Sequence, residues 1–282
     1  KYIDESIAEI IRIENLISEW KPETQVSEIN RNAGIKPVKV DSELFDLTKR
    51  ALYFSKISDG AFDISFAAAD KIWKFDGSMT HLPSEKEIQE SVRKIGFQNI
   101  VLDPDASTIF LKLPGMKIGF GSIGKGYAAD KTKELMISKG VGAGIINASG
   151  DMNTWGKQPD GNPWTVGITN PINKNRVFAV LPLNDNAVVT SGNYEKFAII
   201  GGKRYSHIIN PKTGYPAAGL SSVTVFGPSA EMANGFSTAI MVMGKEAGLF
   251  LVNQFKDLKC IVVTDTGEVF GSDNVALIPN KK

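Results

Sequence analysis

Tyr205-Ser206-His207-Ile208-Ile209-Asn210-Pro211-Lys212-Thr213-Gly214-Tyr215-Pro216 is the stretch on which the fold turns. The segment from Lys203 to Ile209 is strand-like and apolar. The preceding run, Tyr194 to Ile200, is of the same kind, and only Gly201-Gly202 separates the two. A glycine pair between two such runs predicts a tight hairpin and so an antiparallel sheet. An Asn-Pro-Lys-Thr-Gly turn then stops the second strand. His207, one of two histidines in 282 residues, is thereby carried to the edge of a rigid turn. That placement suits a proton-transfer group. It equally describes a strand end with an incidental histidine, and these residues alone leave both readings standing.

Working outward, helices and strands are mixed without regular alternation. Residues 4 to 17 carry Ile7, Ile10, Ile11 and Ile13 at helical spacing. Ser42 to Ser58 places Leu44, Leu47, Ala51 and Phe54 on one face, with Gly60 just beyond. Ser84 and Glu87 form a capping-box pattern ahead of Ile88, Val92 and Ile95, and Gly96 is the expected stop. Ile100 to Leu102 and Thr108 to Leu111 read as another hairpin. This order predicts an α+β fold, with mixed, mostly antiparallel sheets flanked by helices, rather than a doubly wound sheet. No linker cuts the chain, so residues 1–282 are expected to form a single domain of two intimate subdomains.

Composition narrows the function classes. A hydrophobic share of 42% and a charged share of 22% are those of an ordinary globular protein. The net charge of +1 gives no support for a nucleic-acid surface. No apolar run approaches the roughly 20 residues that span a bilayer. Cys260, alone in a strand-like run, reads as a buried apolar residue. His81, next to Leu82-Pro83, reads as a surface loop residue.

Two further segments carry chemistry. Lys117-Ile118-Gly119-Phe120-Gly121-Ser122-Ile123-Gly124-Lys125-Gly126-Tyr127-Ala128-Ala129-Asp130 opens a helix expected from about Lys125 to Lys139. Its glycines leave backbone N–H groups unshielded, and the helix start favours an anion. Lys125 in a first turn opposes the helix dipole, a conflict that an anionic ligand would remove. In Ser229-Ala230-Glu231-Met232-Ala233-Asn234-Gly235-Phe236-Ser237-Thr238-Ala239, Asn234 and Thr238 stand four apart on one helical face. Such an oxygen pair suits a hard cation such as Mg²⁺, and it suits plain helix packing as well.

These segments, with Asn147-Ala148-Ser149-Gly150-Asp151, Gly60-Ala61-Phe62-Asp63 and Ile17-Ser18-Glu19-Trp20 through Asn30, resemble the ApbE family of FAD:protein FMN transferases over about residues 5 to 270. The resemblance implies an enzyme that joins FMN from FAD to a threonine hydroxyl of an acceptor protein with Mg²⁺, releasing AMP. It implies His207 as general base and Lys125 on the FAD phosphates or flavin. The carbonyl of Ser122, with Asn234 and Thr238, would face the metal. Ala61, Phe62 and Asp63 would hold the adenosine part, Ile208 would touch FAD through its backbone, and Trp20 would stack on the isoalloxazine ring. The resemblance also implies Gly119 in a cofactor-binding loop. The partners implied are FAD and an acceptor protein carrying a threonine flavinylation motif. The implied location is extracytoplasmic, in the periplasm, with membrane association through a lipid anchor in a removed N-terminal region.

The chain departs from the family pattern twice. Asn234 and Gly119 stand where relatives usually or often carry aspartate, which removes two carboxylates. Weaker Mg²⁺ binding is expected, or Asp151 supplies the missing charge. A flavin-binding module without catalysis and an FAD pyrophosphatase are therefore kept as alternatives. A P-loop nucleotidase is a remote one: Gly119 to Lys125 fits G-x-x-x-x-G-K, but Gly126 replaces the Ser or Thr that should hold Mg²⁺. No Ser-Gly-Ala-Thr-like acceptor motif is present, so self-labelling is not expected.

Overall fold

The computed structural model describes residues 1–69, 71–169, 177–183, 185–193 and 196–275. In chain order the first elements are helices α1 (Tyr2–Ile17) and α2 (Gln25–Arg31), strand β1 (Val38–Lys39), and helices α3 (Ser42–Ile57) and α4 (Glu85–Ser91). Strands β2 (Ile100–Asp103) and β3 (Thr108–Leu111) follow, then helix α5 (Gly124–Ser138). Strands β4 (Gly144–Ala148), β5 (Asp151–Trp155), β6 (Trp164–Thr169), β7 (Val177–Leu183) and β8 (Ala187–Gly192) come next. The chain continues through β9 (Phe197–Ile200), β10 (Lys203–Ser206), β11 (Leu220–Gly227), α6 (Ala230–Met243), α7 (Lys245–Val252), β12 (Lys259–Thr264) and β13 (Val269–Gly271). The fold is α+β, and every pairing between these strands is antiparallel.

Two compact units divide the described chain. One holds residues 10–124 and 196–217, the other residues 1–9, 125–195 and 218–282. In the first unit β1, β3 and β2 form a sheet in that order. Helix α3 buries Leu44, Leu47, Ala51 and Phe54, the face its spacing predicts. Gly60 ends that passage at φ +76°, a conformation that favours glycine. The capping box of α4 forms as expected, with Ser84 and Glu87 each satisfying the other's backbone N–H. The helix nevertheless stops at Ser91, short of the expected Gly96. Ser91 Oγ donates to the Ile88 carbonyl at 2.7 Å and so takes over an acceptor of the last turn.

The predicted glycine hairpin is β9–β10, with Ile200 opposite Lys203 across Gly201 and Gly202. Both glycines have positive φ, 59° and 76°, as a type I′ turn requires. Tyr194 and Glu195, at the start of the expected first strand, lie outside the described residues. The second strand ends at Ser206, not at Ile209. Ser206 Oγ accepts from the Ile208 N–H at 3.0 Å and diverts the chain, leaving Ile209 a single bridge to Pro216.

The second unit is built on the six-stranded sheet β13-β12-β11-β8-β5-β4. Helix α6 lies on β8 and β11; it buries Ala233, Phe236 and Ile240, and the two strands bury Val189, Val223 and Val225. Its N-cap is Ser229, whose side chain accepts from the Met232 N–H. Cys260 is buried in β12, as its apolar surroundings predict. Burial pushes its thiol up to about 12.

Candidate functional site

In the first unit the glycine loop is held from two sides. Asn30 donates to the Ile118 carbonyl at 3.0 Å and accepts from the Ile118 N–H at 2.8 Å. The Gly119 N–H donates to Ile64 at 3.0 Å. The amide of Asn30 therefore binds the loop as a neighbouring strand would. Sequence reading marked this asparagine as part of a motif without assigning it that work.

Gly119 has no side chain, and the Glu19 carboxylate fills the gap: a β-carbon at 119 would lie 1.5 Å from Glu19 Oε2. Burial raises the Glu19 pKa, opposed by the positive charges of Lys71 and Lys117. Trp20, the next residue, is 72% exposed, so it belongs to no core. Lys71 Nζ sits 4.3 Å from the centre of its ring, and a flavin stacked on that face would have to displace it.

Two cavities share this wall. One of about 690 Å³ is lined by Glu19, Trp20, Asn30, Arg31, Lys94 and Lys117. The other, of about 340 Å³, is lined by Glu19, Trp20, Phe66, Trp73, Phe75 and His207. The structure thus brings Trp20 and His207, 187 positions apart in numbering, onto one cavity. The tryptophan floor is fixed, because Trp73 Nε1 donates to the Gly214 carbonyl at 2.9 Å. Gly214 is needed there: a β-carbon would lie 2.8 Å from the Ile88 carbonyl oxygen, and its φ is +73°.

His207 is half-buried, with Nδ1 2.9 Å from the Lys196 carbonyl oxygen. A carbonyl only accepts, so Nδ1 carries the proton in that bond. In the neutral ring Nε2 then holds the lone pair. That is the tautomer a general base needs. Ile208 is half-buried, and its carbonyl accepts from the Ala217 N–H at 2.8 Å.

Asp63 is buried and committed. It accepts from the Ser65 N–H and hydroxyl at 2.8 and 2.6 Å and from the Phe97 N–H at 2.9 Å. Burial raises its pKa against those hydrogen bonds. Phe62 is wholly buried and edge-on to Phe54, and Ala61 is buried too. Any contact from this segment to a ligand would therefore run through its backbone or the wall it builds. Ser122 is half-buried in the turn that leads into α5.

In the second unit Lys125 Nζ lies 3.6 Å from Asp151, a carboxylate at the start of β5 that is 2% exposed. The dipole conflict at the start of α5 is thus relieved in part within the protein. Asp130, which sequence reading passed over, fixes α6. It accepts from the Ala230 and Glu231 N–H groups at 2.7 and 2.9 Å and from Asn153 Nδ2 at 2.5 Å. Gly126 lets the helices meet, since a β-carbon there would lie 2.3 Å from the Ala230 carbonyl oxygen. Gly126 and Asp130, both within the glycine-loop motif, thus join α5 to the start of α6. Further along α6, Asn234 is buried and Thr238 half-buried, one turn apart. No group of three or more His, Cys, Asp or Glu that could hold a metal exists among the described residues.

The model of the ApbE family matches residues 1–262. An FAD:protein FMN transferase of Klebsiella pneumoniae is 31% identical over 262 residues, covering 92% of this chain and 81% of that protein. One from Treponema pallidum is 31% identical over 265 residues, covering 89% and 73%. Among solved structures, the ApbE protein of Thermotoga maritima superposes with a TM-score of 0.87 at 31% identity, covering 96% of this chain and 89% of that one. The apo flavinyl transferase ApbE of Pseudomonas stutzeri gives 0.84 at 28% identity, covering 96% and 86%.

Proposed function

This chain belongs to the ApbE family, and we propose that it is an FAD:protein FMN transferase that moves FMN from FAD onto a threonine hydroxyl of an acceptor protein. The observation that carries the reading is the single cavity lined by Trp20 and His207, with the histidine's Nδ1 tied to a backbone carbonyl. An indole face and an oriented base on one wall suit a bound flavin and an attacking hydroxyl.

In this reading the threonine oxygen attacks the flavin-side phosphorus of FAD. His207 Nε2 takes the hydroxyl proton, the phosphorus–oxygen bond to AMP breaks, and AMP departs with its phosphate. Lys125 and the amides of the loop from Gly119 neutralise diphosphate charge, work that needs orientation more than covalent chemistry. Lys125 would exchange part of its pairing with Asp151 for the ligand.

Asn234 and Thr238, one turn apart on α6, offer oxygens that suit a hard cation, and both are neutral, so the cation's charge would be balanced by the diphosphate and Asp151. Bound Mg²⁺ would supply further charge neutralisation on the diphosphate. Asn234→Asp would then raise Mg²⁺ affinity, and an unchanged Mg²⁺ titration of activity would count against Asn234 as a ligand.

The deciding experiment is incubation with FAD, Mg²⁺ and an acceptor protein bearing a threonine motif. Flavin fluorescence on the acceptor that survives denaturing electrophoresis supports transfer. Release of AMP and FMN without labelling would make the protein an FAD pyrophosphatase. Tight flavin binding with neither product would make it a binding module.

A further inference from the structure

Glu19 differs from the other carboxylates of its unit in what surrounds it. It lines both cavities, and its Oε2 occupies the notch that Gly119 leaves open. Among the described residues no donor hydrogen-bonds to its carboxylate, in contrast with the three donors on Asp63. Lys71 and Lys117 lend it favourable charge without closing to an ion pair. A half-buried carboxylate that no protein donor reaches has acceptor capacity to spare, and a ligand N–H or O–H on this wall would use it. Trp20 lines the same two cavities as Glu19, so a ring laid on the indole shares its wall with the carboxylate.

We propose that Glu19, seated in the Gly119 notch, is a specificity-determining residue that accepts a hydrogen bond from N3–H of the flavin. The inference rests on the reading of the ligand as FAD. Oxidised isoalloxazine has one ring N–H, at N3, and a carboxylate accepts from it without proton transfer. A flavin alkylated there has no donor to offer and places a methyl group against a charge. A side chain at 119 would displace the Glu19 carboxylate from the notch.

The test measures binding by quenching of flavin fluorescence, using FAD and FAD methylated at N3. Wild type is expected to bind the methylated compound about tenfold more weakly than FAD, the loss of one hydrogen bond to a charged group. Glu19→Ala should weaken FAD by a similar factor and erase the discrimination. Glu19→Gln, which keeps an acceptor oxygen, should lose less. Glu19→Ala combined with Gly119→Asp should regain part of the discrimination by returning a carboxylate to the notch. Equal wild-type affinity for the two flavins would overturn the role of Glu19 while leaving FAD as the ligand. Failure of wild type to bind FAD at all would overturn the functional reading, and this inference with it.

Discussion

The junction of α5 with α6 and the wall around Glu19 and Trp20 handle polar groups in opposite ways. At the junction, Asp130 is buried and accepts hydrogen bonds from Ala230, Glu231, Asn153 and Ser229, and Gly126 gives close backbone approach. At the wall, Glu19 accepts no hydrogen bond among the described residues, and Trp20 stands 72% exposed. A satisfied buried carboxylate is framework, because its bonding is complete before any ligand arrives. A half-buried one that no protein donor reaches, beside an exposed aromatic, leaves a hydrogen bond for a ligand to make. The comparison therefore separates residues whose loss should cost stability from residues whose loss should cost binding or turnover.

The largest effect is expected where the helices touch. Gly126→Val places a branched side chain against the Ala230 carbonyl, already 2.3 Å from a β-carbon. Neither backbone can yield cheaply, so the loss should reach about 3 kcal/mol, at the upper end for overpacking. A thermal melt within a few degrees of wild type would remove the junction from the framework. On the other side of the contrast, His207→Ala should cut transfer at least about a hundredfold, the usual contribution of a positioned base. Its FAD affinity and melting temperature should stay near wild type. A parallel collapse in stability would instead make His207 a structural residue of the turn.

How much of this was legible in the residues follows from how local each cause is. The Gly201-Gly202 hairpin, the Ser84–Glu87 capping box and the apolar face of α3 depend on neighbours within a few positions, and each formed as its spacing implies. The early end of β10 depends on Ser206 turning its hydroxyl on Ile208, and a serine at a strand end gives little warning of that. Asp130 was quoted within the glycine-loop motif, yet its partners on α6 stand 100 and 101 positions away. The Gly119 position looked like a lost carboxylate, and only the fold shows Glu19 in its place. Long-range pairing leaves no period in a single sequence, so these were the parts that could not be read.

A smaller effect sharpens the wall side. Trp20→Ala removes an exposed ring, so stability should change by less than about 0.5 kcal/mol. Flavin affinity should fall by about tenfold, the upper range for one aromatic stacking partner. Isothermal titration with FAD, run beside a melt, reads both quantities. A large fall in stability with unchanged affinity would invert the assignment and put Trp20 in the framework.

The smallest effect lies in the pH dependence of the junction. Burial raises the Asp130 pKa above its ordinary 3.8, and the hydrogen bonds from Glu231, Ala230, Asn153 and Ser229 only partly offset that. The folded protein therefore holds the Asp130 proton to higher pH than the unfolded chain does. The contribution of this proton to stability is full below about pH 3.8 and is lost as pH rises through the folded-state value. Asp130→Asn cannot ionise and lacks this term. Urea midpoints of both proteins from pH 3.5 to 7 should show wild type losing ground to the variant as pH rises. If wild type gains ground instead, the hydrogen-bond donors outweigh desolvation, and the carboxylate rests at the helix start as a stable anion.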